Sequence, residues 1–485
     1  MMLRWTAVLA PLLAAACASL ETAPSAHLES AAAGLRECAE WFRDLDAKVD
    51  AAGVRDAQES RIAGYPYVRV NRLLASFREY AARDEGALQA LADRMQALDL
   101  AARGHEIANL GAGSPLERAR ECGSRLRAAD LADTRSRAML LERAAVPDDY
   151  STASRVLGLY AMTKWPFMAG VRNYQDSVRA AFRAELAPPA SGSVRRYGPP
   201  GAPSVSRPAQ AAMIERAAAN ALGVPEPHGD ALDALFAAHA PVFEIEAAGE
   251  YDIPGALQWR PGEALPGVST AEPVVYRHAA WTRYRGRTLL QLVYTIWFPE
   301  RPPAAPGDLL AGQLDGVTWR VTLAPDGEPL VYDTMHPCGC FHMFFPTPRA
   351  APVPAADGAI EWMFSPQSLP RVAQGARPVV RLASRTHYVE RVTVARDVDS
   401  PERYAFRPYD ELRSLPRPGG GNASVFGPDG LIAGSERPER FLFWPMGIES
   451  AGAMRQWGRH ATAFVGRRHF DDADLLEKRF VLDLR

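Results

Sequence analysis

The hydrophobic period of this chain changes once along its length, and that change limits the folds open to it. Over residues 28–186 the apolar positions recur at helical spacing: Leu35, Cys38, Phe42, Leu45 and Val49 fall three and four apart, as do Leu88, Leu91, Met95 and Leu98. Each set draws one apolar stripe along one helix face, and helices so marked must bury their stripes against one another. Beyond about residue 240 the period drops to two. Val274–Tyr284 and 288–298 flank Arg285-Gly286-Arg287, while 317–323 and 329–332 flank Pro325-Asp326-Gly327, both hairpin signatures. Further strands are expected at 359–364 and 378–394. The pattern predicts an α+β chain, an N-terminal helical bundle followed by a mostly antiparallel β-rich domain.

Punctuation refines this outline. Gly64-Tyr65-Pro66 and Val146-Pro147 break the helical half, and Ser114-Pro115-Leu116-Glu117 reads as a helix start. Residues 187–208 are rich in Pro, Gly and Ser without an apolar period, so they read as a linker or long loop between a helical domain (28–186) and a β-rich domain (209–485). Short helices are expected at 209–222 and 231–238, and a last one at 449–464 after the apolar run 441–446. Gly419-Gly420-Gly421 sits in a polar, Pro-flanked loop where flexibility accounts for it.

The first sixteen residues have the form of an export signal: Arg4 supplies a short positive region, and 5–16 are apolar and uncharged, too short for a permanent membrane span. They end in Leu13-Ala14-Ala15-Ala16-Cys17, which resembles the lipobox of bacterial lipoproteins, with Ala14 where that class usually has Leu. The resemblance implies a signal peptide at 1–16, cleavage before Cys17, lipid on Cys17, and a tether at 17–27. Ala18, rather than Asp, after the cysteine implies by the same resemblance an outer-membrane anchor facing the periplasm or cell surface.

The roughly 470 residues after Cys17 are enough for two or three domains. A formal net charge of −2 leaves no basic excess to offset phosphates, so nucleic-acid binding is not expected. Only Lys48, Lys164 and Lys478 are lysines among 55 basic residues, which reads as base composition rather than function. Besides Cys17 there are four cysteines. Cys38 and Cys122 both fall on core-facing helical stripes, and in an oxidising compartment they are expected to form a disulfide.

Nucleophile elbows, phosphate-cradling loops, zinc-protease helices and dinucleotide fingerprints are absent from the sequence. The exception is His336-Pro337-Cys338-Gly339-Cys340-Phe341-His342, where four potential metal ligands alternate with non-ligands next to Asp333. Thiolate and imidazole suit zinc, so His336, Cys338, Cys340 and His342 are candidate ligands, with His387, His460 and His469 as possible recruits from later segments. Extended, the segment would hold its outer histidines about 20 Å apart, so it would have to fold back at Pro337 and Gly339. A Cys338–Cys340 disulfide and plain packing of a turn are the competing readings. A second cluster, Arg467-Arg468-His469 before Asp471-Asp472, suits either an anion or pairing with neighbouring carboxylates.

Thr295-Ile296-Trp297-Phe298-Pro299-Glu300-Arg301-Pro302, Asp315-Gly316-Val317-Thr318-Trp319-Arg320 and the Cys-Gly-Cys turn resemble segments of proteobacterial envelope lipoproteins for which the resemblance implies no activity. The expectation is a lipid-anchored envelope protein that binds a small ligand or an envelope partner. The alternative is a zinc-dependent hydrolase on the His336–His342 turn with Asp333 as its catalytic carboxylate.

Overall fold

The computed structural model describes residues 23–111, 113, 115–186, 188, 193–201, 205–355, 360–396 and 398–485. The signal segment, Cys17 and Ser114 lie outside the described residues, as does part of 187–208. The fold is α+β, with helices mainly in the first part and antiparallel-rich sheets later. The chain divides into two units, the first ending at Pro147 and the second beginning at Asp148.

In the first unit, helix α1 (Ala33–Ala51) buries Cys38, Phe42, Leu45 and Val49, and α2 (Glu85–Leu110) buries Leu88, Leu91 and Met95. Asp84 caps α2 by accepting from the Ala87 N–H, and Gly111, at φ +64°, ends it in the left-handed conformation that glycine adopts without strain. Helices α3 (Leu116–Ala132) and α4 (Thr134–Arg143) come next. Cys38 and Cys122 form a disulfide with Cα atoms 5.1 Å apart. It closes a separation of 84 residues and is expected to stabilise the unit by about 2–4 kcal/mol. A Cys38→Ser, Cys122→Ser variant should therefore melt earlier in its helical signal, and unchanged melting would contradict that contribution.

The first half also holds an element that the helical reading missed. Strands β1 (Ser60–Ile62) and β2 (Tyr65–Val70) form a hairpin turned at Gly64, φ +86°. Tyr67 and Arg69 of this hairpin are buried against α2, whose later turns present Asp99, Arg103 and Glu106 to the core at the same three-and-four spacing as its leucines. Arg69 Nη2 donates to Glu106 Oε1 at 2.7 Å and Arg103 Nε to Asp99 Oδ2 at 2.7 Å. Burial pushes the Glu106 carboxyl up, but Arg69 and Arg61 outweigh it and hold the group at about 2.

The second unit starts earlier than the sequence suggested. Helices α5 (Thr152–Leu157) and α6 (Tyr160–Arg183) belong to it rather than to the helical unit. Periodicity marks a helix but not its packing partner: Phe182 of α6 enters the β-rich core, and Tyr150 bridges to Ile448. The 187–208 stretch is likewise no plain linker. Its residues Val194–Gly198 form β3, because Tyr197 is buried and the strand pairs with β4 (Val242–Glu246). Helices α7 (Arg207–Ala217) and α8 (Asp230–His239) then pack Ile214, Leu235 and Phe236 onto the core.

Four long strands run as an antiparallel meander: β5 (Val274–Tyr284), β6 (Arg287–Arg301), β7 (Gly312–Leu323) and β8 (Pro329–Met335). The Arg285-Gly286 turn has both residues at positive φ, as a two-residue hairpin requires. With β9 (Met343–Pro346) at one edge and a later strand, 405–408, parallel to β5 at the other, they form a six-stranded sheet. The second sheet has five strands, among them β10 (Arg377–Leu382) and β11 (Val389–Ala395), so the single strand expected over 378–394 is a hairpin. Leu290, Leu292, Tyr294 and Ile296 of β6 face one core with Ile245, Val380 and Val392 of the second sheet, while Trp297 faces another with Leu257, Tyr276 and Phe426.

Two expected elements do not form. Residues 360–364 make single hydrogen bonds rather than a ladder: the Glu361 N–H donates to the Val465 carbonyl, and the Phe364 carbonyl accepts from the Phe344 N–H. Residues 449–464 are turns instead of a helix, with Ser450, Gly452 and Gly458 at positive φ interrupting the helical path.

Candidate functional site

The His-x-Cys-x-Cys-x-His segment is a tight turn at the end of β8. The Gly339 N–H donates to the His336 carbonyl at 2.8 Å, and the His336 N–H to the Cys340 carbonyl at 3.0 Å. Gly339 is required here twice over: its φ is +88°, and a Cβ would collide with the Ala461 carbonyl oxygen. The turn thus folds back as its Pro and Gly suggested, but it aims its histidines apart. His336 Nδ1 meets Asp315 Oδ1 at 3.0 Å, His342 Nε2 meets Asp333 Oδ2 at 3.0 Å, and His460 Nε2 meets the Pro337 carbonyl at 3.1 Å. His387 stacks on Phe298 with ring centroids 3.8 Å apart and directs Nδ1 to Asp315 Oδ2 at 2.9 Å. His469 lies by Asp149, 3.3 Å from its Oδ2.

Among the described residues, no group of three or more His, Cys, Asp or Glu side chains is placed to hold a metal ion. One ring nitrogen of each of His336, His342 and His460 is taken by a carboxylate or carbonyl, while Nδ1 of His342 and of His460 is buried without a partner, and these imidazoles do not converge on one point with the two thiols. Asp333 is also committed: it takes a bidentate pair from Arg320 (Nε at 2.9 Å, Nη2 at 2.5 Å) and the His342 contact, and is 1% exposed. Burial pushes its carboxyl up, but Arg320 and His342 hold it below the usual carboxylate range. This carboxylate locks β7 to β8 and the turn, and is sealed from any substrate. Arg468 is similarly absorbed, buried against Glu361 and the Trp362 and Thr462 carbonyls.

Asp315 is the hub beneath the turn. It is fully buried, accepts from His336 and His387 and from the Gly316 N–H, and has Arg437 Nη2 3.5 Å away. Burial would raise its carboxyl, but His336 and Arg437 hold it well below the usual range. Burial lowers His387, and its bonds to Asp252 and Asp315 more than restore it. Four segments of the second unit are tied together at this one carboxylate.

Above the hub the two cysteines are free thiols. Cys338 is buried in the core beside Trp297 and Leu314, and its sulfur accepts from the Cys340 N–H at 3.4 Å. Burial pushes the Cys338 thiol up, but the hydrogen bond from Cys340 and the nearby Arg437 hold it below the ordinary value, while the same bond and burial drive Cys340 well above it. The pair is one polarised donor–acceptor unit, not a bridge.

Both thiols open onto a cavity of about 500 Å³. One wall is α6, through Phe167, Val171 and Tyr174. The turn supplies Phe341, and Phe364, Phe443, Phe464 and Ile448 complete an apolar lining. Its polar groups are the thiols, Tyr174, Gln175, His342, Glu361, Tyr388, Glu439 and Thr462. Glu439 is 4% exposed, and burial drives its carboxyl up to about 7 despite Arg437 and Arg301. Gly452, φ +89°, leaves it room, since a Cβ there would strike Glu439 Oε1.

Comparison with family models, with curated proteins and with solved structures finds no match to this chain. The site therefore stands on its own geometry. Of the residues singled out from sequence, the structure brings Cys338, Cys340 and His342 to the cavity and leaves His336, His387, His460 and Asp333 in the supporting frame. Glu439, Asp315 and the phenylalanines were not singled out. Glu439 lies in the charged run Glu436-Arg437-Pro438-Glu439-Arg440, and nothing local sets it apart from its neighbours.

Proposed function

We propose that the chain is a lipid-tethered cell-envelope binding protein whose second unit takes an apolar or amphipathic small molecule, of acyl-chain character, into the cavity over the Cys-Gly-Cys turn. The observation that carries this reading is the cavity itself. Its volume lies within the roughly 300–1,000 Å³ of small-molecule sites, and its walls are aromatic and aliphatic with a few convergent polar groups. Below about pH 7, the value to which burial raises it, the Glu439 carboxyl is protonated and offers a hydrogen bond to a hydroxyl or carbonyl end of the ligand while the phenylalanines cover its apolar body. The direct test is saturable, one-to-one uptake of a fluorescent acyl-chain probe.

The tether belongs to the same reading. Lipid on Cys17 would hold the two units at a membrane, as the lipobox-like segment implies, and no helix among the described residues is long and apolar enough to cross one. With a palmitate label, wild type is expected to be labelled and to fractionate with the outer membrane. Cys17→Ser should be unlabelled, and equal labelling of both would contradict the tether.

A further inference from the structure

Large apolar side chains that stay exposed are scattered singly on most soluble surfaces, but here they are gathered. Among the described residues thirteen are strongly exposed, and eight of these sit on two adjoining segments of the second unit. Val156, Leu157, Leu159, Met162 and Trp165 lie at the corner between α5 and α6, with Leu157 76% and Met162 70% exposed. Phe441, Leu442 and Trp444 lie on the short helical turn 440–446, with Phe441 71% exposed. The segments touch: a Cβ on Gly158 would come within 2.5 Å of Pro445, and the Phe167 and Phe443 rings are 5.6 Å apart.

Two further observations say what covers this face. From 156 to 172 there is no acidic residue, only Lys164 and Arg172, and 440–446 adds Arg440 and again no acid. Lys164 lies over the Trp165 ring and Arg440 over Phe441, the arrangement in which a basic head reaches headgroups while an aromatic body enters the apolar boundary. The face is also continuous with the cavity. Leu442 and Pro166 each line the cavity and are exposed at its rim.

From this juxtaposition we infer that the α5–α6 corner and the 440–446 turn seat on the headgroup–acyl boundary of an anionic bilayer, so that an acyl-chain ligand passes between bilayer and cavity across the Pro166–Leu442 rim. The inference rests on the reading of the cavity as an apolar-ligand site. Basic side chains around an apolar face attract anionic lipid, and burial of the exposed aromatics then holds the face in place.

The test uses residues 18–485, which lack Cys17, so that binding reports this face and not the tether. Flotation with phosphatidylglycerol–phosphatidylcholine vesicles is expected to carry the protein up, with at least tenfold weaker binding to phosphatidylcholine alone. A Leu157→Glu, Trp165→Glu, Phe441→Glu variant changes only exposed side chains outside the cavity. It should lose vesicle binding at least tenfold while taking up cis-parinaric acid from free solution as wild type does, with unchanged melting. Vesicle binding retained by the variant, or absent from wild type, overturns the docking face. Self-association of wild type that the variant abolishes assigns the face to a second copy and also overturns it. Failure of both proteins to take up free parinaric acid overturns instead the cavity reading, and with it the delivery role.

Discussion

Asp315→Ala is expected to destabilise the second unit by about 3–5 kcal/mol, the range for removing one partner of a buried charge network. The substitution leaves Arg437 and two buried imidazoles facing a void where one carboxylate had satisfied them. The loss should appear as an earlier urea transition of the β-rich signal, and the helical unit's transition should stay in place. Asp315→Asn keeps an acceptor oxygen for one imidazole and should lose less. A loss below about 1 kcal/mol for Asp315→Ala would contradict the role of this carboxylate as the hub under the turn.

Glu439→Gln is expected to stabilise the protein at neutral pH and to flatten a pH dependence that wild type displays. The carboxyl sits at about 7 in the fold against 4.5 in the open chain, so between these values the folded state binds the extra proton. Stability contributed by the neutral form is therefore complete below about 4.5 and falls as pH rises towards 7, by about 3 kcal/mol in all, before levelling. Glutamine cannot ionise, so the variant should gain on wild type across that window. Ligand binding follows the same proton: an apolar body over Glu439 favours the neutral carboxyl, and affinity should weaken by up to about tenfold per pH unit above 7 in wild type only. Parallel pH profiles for the two proteins would contradict the placement of Glu439 in the binding cavity.

The parts of this structure that were legible from sequence are those fixed by local period. The stripes of α1 and α2 and the Arg285-Gly286 hairpin follow from spacing alone, because side-chain direction is set by the helix or strand that carries it, and the Cys38–Cys122 pair follows from two such stripes together with the expectation of an oxidising compartment. Partner choice was not legible. α6 has an ordinary amphipathic pattern, and nothing in it says that its apolar side walls a cavity in the second unit instead of joining the first. Buried charge was not legible either: nothing in the sequence marks Arg69, Asp99, Arg103 and Glu106 as interior, and only their long-range pairing makes that burial tolerable. The metal-like turn illustrates the limit most clearly. Ligand types at short spacing were present, but Asp315 and Asp333, 21 and 9 residues before their histidines, turn the imidazoles away from a common point.

The central claim is that the second unit holds an apolar ligand over the Cys-Gly-Cys turn, and the most direct measurement is a fluorescence titration of cis-parinaric acid into wild type and Gly170→Trp. Gly170 lines the cavity from α6, and a Cβ there meets nothing within 4 Å, so an indole can occupy ligand space without disturbing the helix. Wild type should saturate at one probe per chain, and Gly170→Trp should bind at least tenfold more weakly while melting at the same temperature. Absence of saturable binding to wild type, or equal affinity in the two proteins, would contradict the account.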